Sequence, residues 1–136
     1  MLERRLVIAA GVLGLTAVAL GAFGAHGLRS MVQALPDGAE RLSWWQTAAH
    51  YHLIHALAVA LAAWLASRGP TRAAAVAGAC LVAGVVIFSG TLYAMALGGP
   101  RWLGAVTPLG GLSMMAGWVA VVVAGVRLAR RDGDAR

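Results

Sequence analysis

Four uninterrupted apolar stretches constrain this chain more than any other feature. They run from Leu6 to about Ala25, from about Trp45 to Ala66, from Ala73 to Leu97 and from about Leu103 to Val126. Each is long enough to cross a hydrocarbon core of ~30 Å as an α-helix rising ~1.5 Å per residue. Backbone polar groups in lipid must be satisfied internally, and a helix does that within one segment. The expectation is therefore an all-α membrane protein, a single integral-membrane domain over residues 1–136 with four transmembrane helices in a compact bundle. Composition agrees, since only 12% of the residues are charged, about half the share in an ordinary soluble domain. The first stretch follows a basic start and ends in small residues, as a signal peptide does. Its apolar run from Leu6 to Ala25 exceeds the ~7–15 residues of a signal core, so it reads as a retained span.

The net charge of +6 invites a nucleic-acid reading, but all eleven basic residues are arginine and sit at the ends of the spans. Charge placed that way sets topology, and no nucleic-acid partner is expected. Arg4, Arg5, Arg68, Arg72, Arg127, Arg130, Arg131 and Arg136 fall on one side; Arg29, Arg41 and Arg101 fall on the other. The positive-inside rule then predicts that both termini are cytoplasmic. The single cysteine, Cys80, lies inside an apolar stretch and reads as a small hydrophobe.

The punctuation between spans is consistent with this topology. "SRGPT" (Ser67 to Thr71) is a Gly-Pro turn with Thr71 as N-cap of the third helix. "LGGP" (Leu97 to Pro100) ends that helix in glycine with proline beyond. In the first outer loop, Leu28, Met31, Val32 and Leu35 share one face, which predicts a short interfacial helix. "PDG" then turns the chain, and Ser43 with Gln46 forms a capping box for the second helix, with Asp37 and Glu40 offering an earlier start. Two stripes of small residues read as packing faces in lipid: Ala10, Gly14, Ala17, Gly21 and Ala25 in the first span, and Ala116, Ala120 and Ala124 in the fourth.

On this topology the unusual polar residues gather in the outer half. His26 sits at the outer end of the first span within "GAFGAHGL"; His50, Tyr51, His52 and His55 occupy the first turns of the second. "FSGTLY" (Phe88 to Tyr93) and "TPLGG" (Thr107 to Gly111) lie in the outer parts of the third and fourth. At ~100° per residue, Tyr51, His52 and His55 share a face, while His50 points about 140° away from His55. The deepest of them, His55, should face the bundle interior with a partner, the candidates being Ser89, Tyr93 and His26. Thr107 followed by Pro108 reads either as the N-cap of a late-starting helix or as a proline within a longer one. The first alternative would aim free N–H groups at the cluster.

These motifs, with Tyr51 to Leu57 and "AGW" (Ala116 to Trp118), resemble the YgdD-like family of small four-helix membrane proteins, a domain of unknown function numbered 423. The resemblance covers nearly the whole chain and implies a multi-pass protein of the bacterial inner membrane, with no established biochemical activity. The family pattern falls on Gly21, Gly24, Ala25, His26, Tyr51, His55, Ser89, Gly90, Leu92, Tyr93, Thr107, Pro108, Gly110 and Gly111, and not on His50 or His52.

The functional expectation is a structural or accessory membrane protein with an outer-half polar cluster of His26, Tyr51, His55, Ser89, Tyr93 and Thr107. Gly21, Gly24, Gly90, Pro108, Gly110 and Gly111 shape the backbone around it. One alternative gives those residues a haem, metal, quinone or lipid head group to bind, with the cofactor itself unknown. Another makes the chain a small transporter or a proton-conducting oligomer, since histidine titrates near physiological pH. No metal site is assigned, and no catalytic residue: the spans carry no carboxylate and no nucleophile motif. Partners are the lipid bilayer and either further copies of the chain or a larger membrane complex.

Overall fold

The computed structural model describes residues 1–69 and 72–134, and side chains as far as Arg131. Helices are α1 (Leu2–Phe23), a π-helical turn (Gly24–Leu28), α2 (Arg29–Val32), α3 (Gly38–Arg68), α4 (Arg72–Ala96) and α5 (Leu103–Asp134). Four continuous helical stretches are long and apolar enough to cross a membrane: Leu2–Val32, Gly38–Arg68, Arg72–Ala96 and Leu103–Arg131. No strand occurs among the described residues. Thr71, expected to cap the third span, lies outside the described residues.

The first span is longer than the hydropathy suggests because the helix does not stop at Ala25. The π turn carries it into α2, so the short helix expected in the first connection is a continuation of α1. Its apolar face divides: Leu28 and Val32 are buried with Trp45 and Ala96, while Met31 and Leu35 are exposed. The second span starts at Gly38, which is the earlier of the two starts in the sequence and leaves Ser43 inside the helix. Asp37 makes no side-chain cap there, because its carboxylate is taken by arginines. The turn after α4 is as the glycines predict: Gly98 adopts φ +95°, its N–H donates to the Met95 carbonyl, and the Gly99 N–H donates to the Ala94 carbonyl at 2.8 Å.

The helices pack serially. α3 lies between α1 and α4, α4 lies between α3 and α5, and α1 does not reach α5. Small residues make the seams: Ala58, Ala62 and Ala63 of α3 meet Ala77 and Leu81 of α4 in the main core. The α5 seam is Gly110, Met114, Gly117, Ala120 and Ala124, and Ala116 is exposed. A strict four-residue spacing drifts about 40° per step, whereas alternating four and three keeps to one face. Gly117 therefore replaces Ala116 in the seam. The α1 stripe is not a tight contact throughout, since of its five residues only Ala17 is buried and a Cβ added at Gly14 or Gly21 would meet nothing within 4 Å.

Candidate functional site

His55, on α3, is 6% exposed and has both ring nitrogens occupied. Nδ1 lies 2.8 Å from the carbonyl of Tyr51 one turn earlier, and the Trp118 indole N–H of α5 donates to Nε2 at 3.3 Å. A carbonyl only accepts and an indole only donates, so the partners select the tautomer with its proton on Nδ1. The Tyr51 ring stacks on His55 at 5.8 Å and meets Phe88 at 4.7 Å. Here α3, α4 and α5 leave a cavity of 570 Å³. Tyr51, Phe88 and Trp118 line it as three aromatic walls, His55 sits among them, and Pro108, Met114 and Met115 contribute from α5. The Tyr51 side chain is partly exposed, and its hydroxyl has no hydrogen-bond partner among the described residues.

A second network lies about 60° around α3 from His55. His52, also 6% exposed, places Nε2 3.3 Å from the Thr16 hydroxyl of α1 and Nδ1 3.4 Å from the Tyr93 hydroxyl of α4. Thr16 donates back to the Val12 carbonyl at 2.8 Å, so its oxygen accepts from His52 Nε2–H and Tyr93 donates to Nδ1. One histidine thereby ties α1, α3 and α4 together. Tyr93 is held from behind by Trp45, ring centroids 4.5 Å apart.

The remaining cluster residues go elsewhere. Ser89, 1% exposed, donates to the Ala48 carbonyl of α3 at 2.9 Å. Thr107 shares a 2.8 Å hydrogen bond with Thr91 and donates to the Leu103 carbonyl. Its hydroxyl therefore joins α5 to α4 and does not cap, because α5 already starts at Leu103 and Pro108 lies within it. His26 is exposed on the π turn and makes no side-chain hydrogen bond among the described residues. None of Ser89, Tyr93 or His26 is the partner of His55, and the single cluster expected from the sequence is resolved into two networks and a groove.

Sequence reasoning passed over Trp118, Thr16 and His52. Trp118 stands in the family motif without a role, and Thr16, by its position in the first span, is expected in the inner half, apart from the polar cluster, whereas it bonds His52. Helix starts explain part of this. With α3 starting at Gly38, His55 is about 26 Å along it, level with Trp118 at about 22 Å along α5.

The glycines divide by contact. Gly24 lies directly against the Trp45 indole, whose N–H donates to the Leu20 carbonyl at 2.8 Å; a Cβ there would displace the ring. Gly110 lies against the Phe88 backbone and lets α5 close on α4 at the head of the groove, and a Cβ added at Gly111 would stand 3.9 Å from the Phe88 ring, in ordinary contact. Gly21 and Gly90 have open space beside them, and nothing among the described residues explains them. "GAFGAHGL" is thus a packing motif for Trp45, with His26 on its outer side.

A charged latch closes the same end of the bundle. Arg101, in the α4–α5 connection, lies 2.9 Å from Glu40 and 3.4 Å from Asp37, with its guanidinium over the Trp44 ring. Arg41 Nε lies 3.0 Å from Asp37, an ion pair whose angle departs from a good hydrogen bond. The Arg41 guanidinium beside Asp37 nevertheless holds that carboxyl below the usual carboxylate range, against a smaller opposing effect of burial.

The family model described as "Protein of unknown function (DUF423)" matches residues 20–111. The UPF0382 membrane protein YwdK of Bacillus subtilis is 40% identical over 122 residues, covering 89% of this chain and 95% of the relative. The chain belongs to the DUF423 family. The UPF0382 inner membrane protein YgdD of Escherichia coli is 38% identical over 131 residues, covering 96% of each chain. A UPF0382 membrane protein of Staphylococcus epidermidis is 38% identical over 123 residues, 90% of this chain and 96% of its own. No solved structure matches this DUF423 protein. The family match runs from Leu20, in the last turn of α1, through Gly111, and Trp118 lies beyond its end. These findings bear out a four-helix membrane protein whose family has no established biochemical function.

Proposed function

We propose that this DUF423 protein is a non-enzymatic structural or accessory protein of the bacterial inner membrane, with both termini in the cytoplasm. The observation that carries the reading is the state of the two buried histidines: all four ring nitrogens are engaged by groups of the bundle itself. Histidines used in this way join helices. A haem or metal would have to evict Trp118 or a hydroxyl to reach a lone pair, which speaks against those alternatives. Ser89 bonds a backbone carbonyl and not His55, so no nucleophile–base pair supports catalysis. The arginine distribution supports the orientation. The exposed side of α1, with Leu2–Phe23 burying only Leu6 and Ala17, is available to further copies or to a larger membrane partner.

The test is purification in mild detergent followed by native mass spectrometry and thermal unfolding of wild type and His55→Ala. A bare subunit that loses stability in the variant supports the structural reading; a bound mass lost with the variant overturns it. The groove favours one second reading. Its aromatic walls and unpaired Tyr51 hydroxyl suit an apolar molecule carrying a hydrogen-bond acceptor, such as a quinone or a lipid ester. That molecule would be the mass lost.

A further inference from the structure

Away from the histidines, α4 and α5 part along a second groove of 370 Å³ at the end where α4 begins. Its head carries Arg72, the first residue of α4, and Arg127, both exposed and neither paired with an acidic group among the described residues. Its walls are apolar and half open, with Val76 50%, Val119 64% and Val123 37% exposed. From Arg127 back to Ala116 the groove follows α5 for about 16 Å, close to the depth of one leaflet of a ~30 Å hydrocarbon core.

We infer that this groove seats one anionic phospholipid, its phosphate between Arg72 and Arg127 and one acyl chain along Val76, Ala116, Val119 and Val123. Two guanidinium groups match a phosphate in charge and in donor geometry. The walls below them are apolar and open enough to take an acyl chain. Neither feature alone selects a lipid. What selects it is an apolar trough of leaflet depth ending in two cations, unpaired among the described residues, at the edge of the membrane-spanning region. A soluble phosphate would use the head and leave the trough empty. A zwitterionic lipid would fill the trough but bring its own cation to the arginines. Basic pockets between spanning helices hold anionic head groups by this combination.

The full chain is placed in nanodiscs of phosphatidylcholine alone or mixed with phosphatidylglycerol, and the lipid it retains after extraction is read by native mass spectrometry. Phosphatidylglycerol should be retained in preference to phosphatidylcholine. The preference should fall about fivefold in Arg72→Gln or Arg127→Gln and about 25-fold in the double variant. Ala116→Phe fills an exposed part of the trough without touching charge, and should also lose the lipid while melting like wild type. Equal retention of the two lipids overturns the site, as does an unchanged preference in the double variant or in Ala116→Phe. An equal loss in Arg4→Gln with Arg5→Gln would assign the effect to the basic surface as a whole. Displacement by inorganic phosphate would assign the head to a free anion and remove the lipid.

Discussion

The Trp118 indole reaches from α5 to within 3.3 Å of His55 Nε2 on α3, while His55 Nδ1 stays on the Tyr51 carbonyl of its own helix. The two contacts together leave the imidazole no free lone pair. Nitrogen NMR of the histidine side chains should find His55 as the Nδ1–H tautomer. Trp118→Phe, which keeps the ring and removes the donor, should cost about 1 kcal/mol of stability. An Nε2–H tautomer in the wild type would refute the arrangement.

The four histidines should separate into two classes. His52→Ala removes two interhelical contacts and His55→Ala one, each contact contributing about 0.6–1.7 kcal/mol in a membrane protein, so both variants should melt early. His26 and His50 are exposed, and their alanine variants should fall within about 0.5 kcal/mol of wild type. Equal, small effects at all four positions would show that neither network holds the bundle.

Gly24 and Gly21 stand one turn apart and should respond in opposite ways. At Gly24 a valine meets the Trp45 ring and breaks its hydrogen bond to Leu20, which should cost about 1–3 kcal/mol and alter Trp45 fluorescence. Gly21→Ala enters open space on a helix and should be neutral or stabilising by up to about 1 kcal/mol. A tolerated Gly24→Val, with unchanged fluorescence, would show that the close approach is not required.

Acid should loosen the latch between the two connections at this end. Asp37 titrates below its ordinary value because Arg41 favours its charged form. The contribution is therefore complete above the unfolded carboxylate value and is lost as pH falls through the lower folded one. Amide protection in residues 33–41 and 97–103, taken relative to the intrinsic exchange rate at each pH, should fall on acidification past that point. Asp37→Asn should show the lower protection already at neutral pH, with less further change on acidification. Protection in the wild type that is flat across this range would mean that the ion pairs carry nothing.

Much of this architecture follows from local chemistry alone. Hydropathy runs longer than a bilayer crossing give four helices, a glycine pair before Pro100 gives the α4 terminus, and arginine placement supplies the orientation proposed above. The family pattern, too, is a property of the residues in order. Each of these depends on neighbours in sequence, so the chain itself determines them.

Partner choice does not follow in the same way. His52 and His55 stand about 60° apart around α3 and count as one face by periodicity. At the radius of the side chains that angle is enough to turn one toward Thr16 and Tyr93 and the other toward Trp118. The π turn after Phe23 and the early start of α3 at Gly38 shift depth and phase, and no turn signal in the sequence records the first. The sequence by itself determined the spans, the turn after α4 and the supply of intramembrane polar groups. Only the tertiary structure decided which of them meet, because each pairing depends on the rotation and depth at which two helices pack, and the small residues of the seams set both.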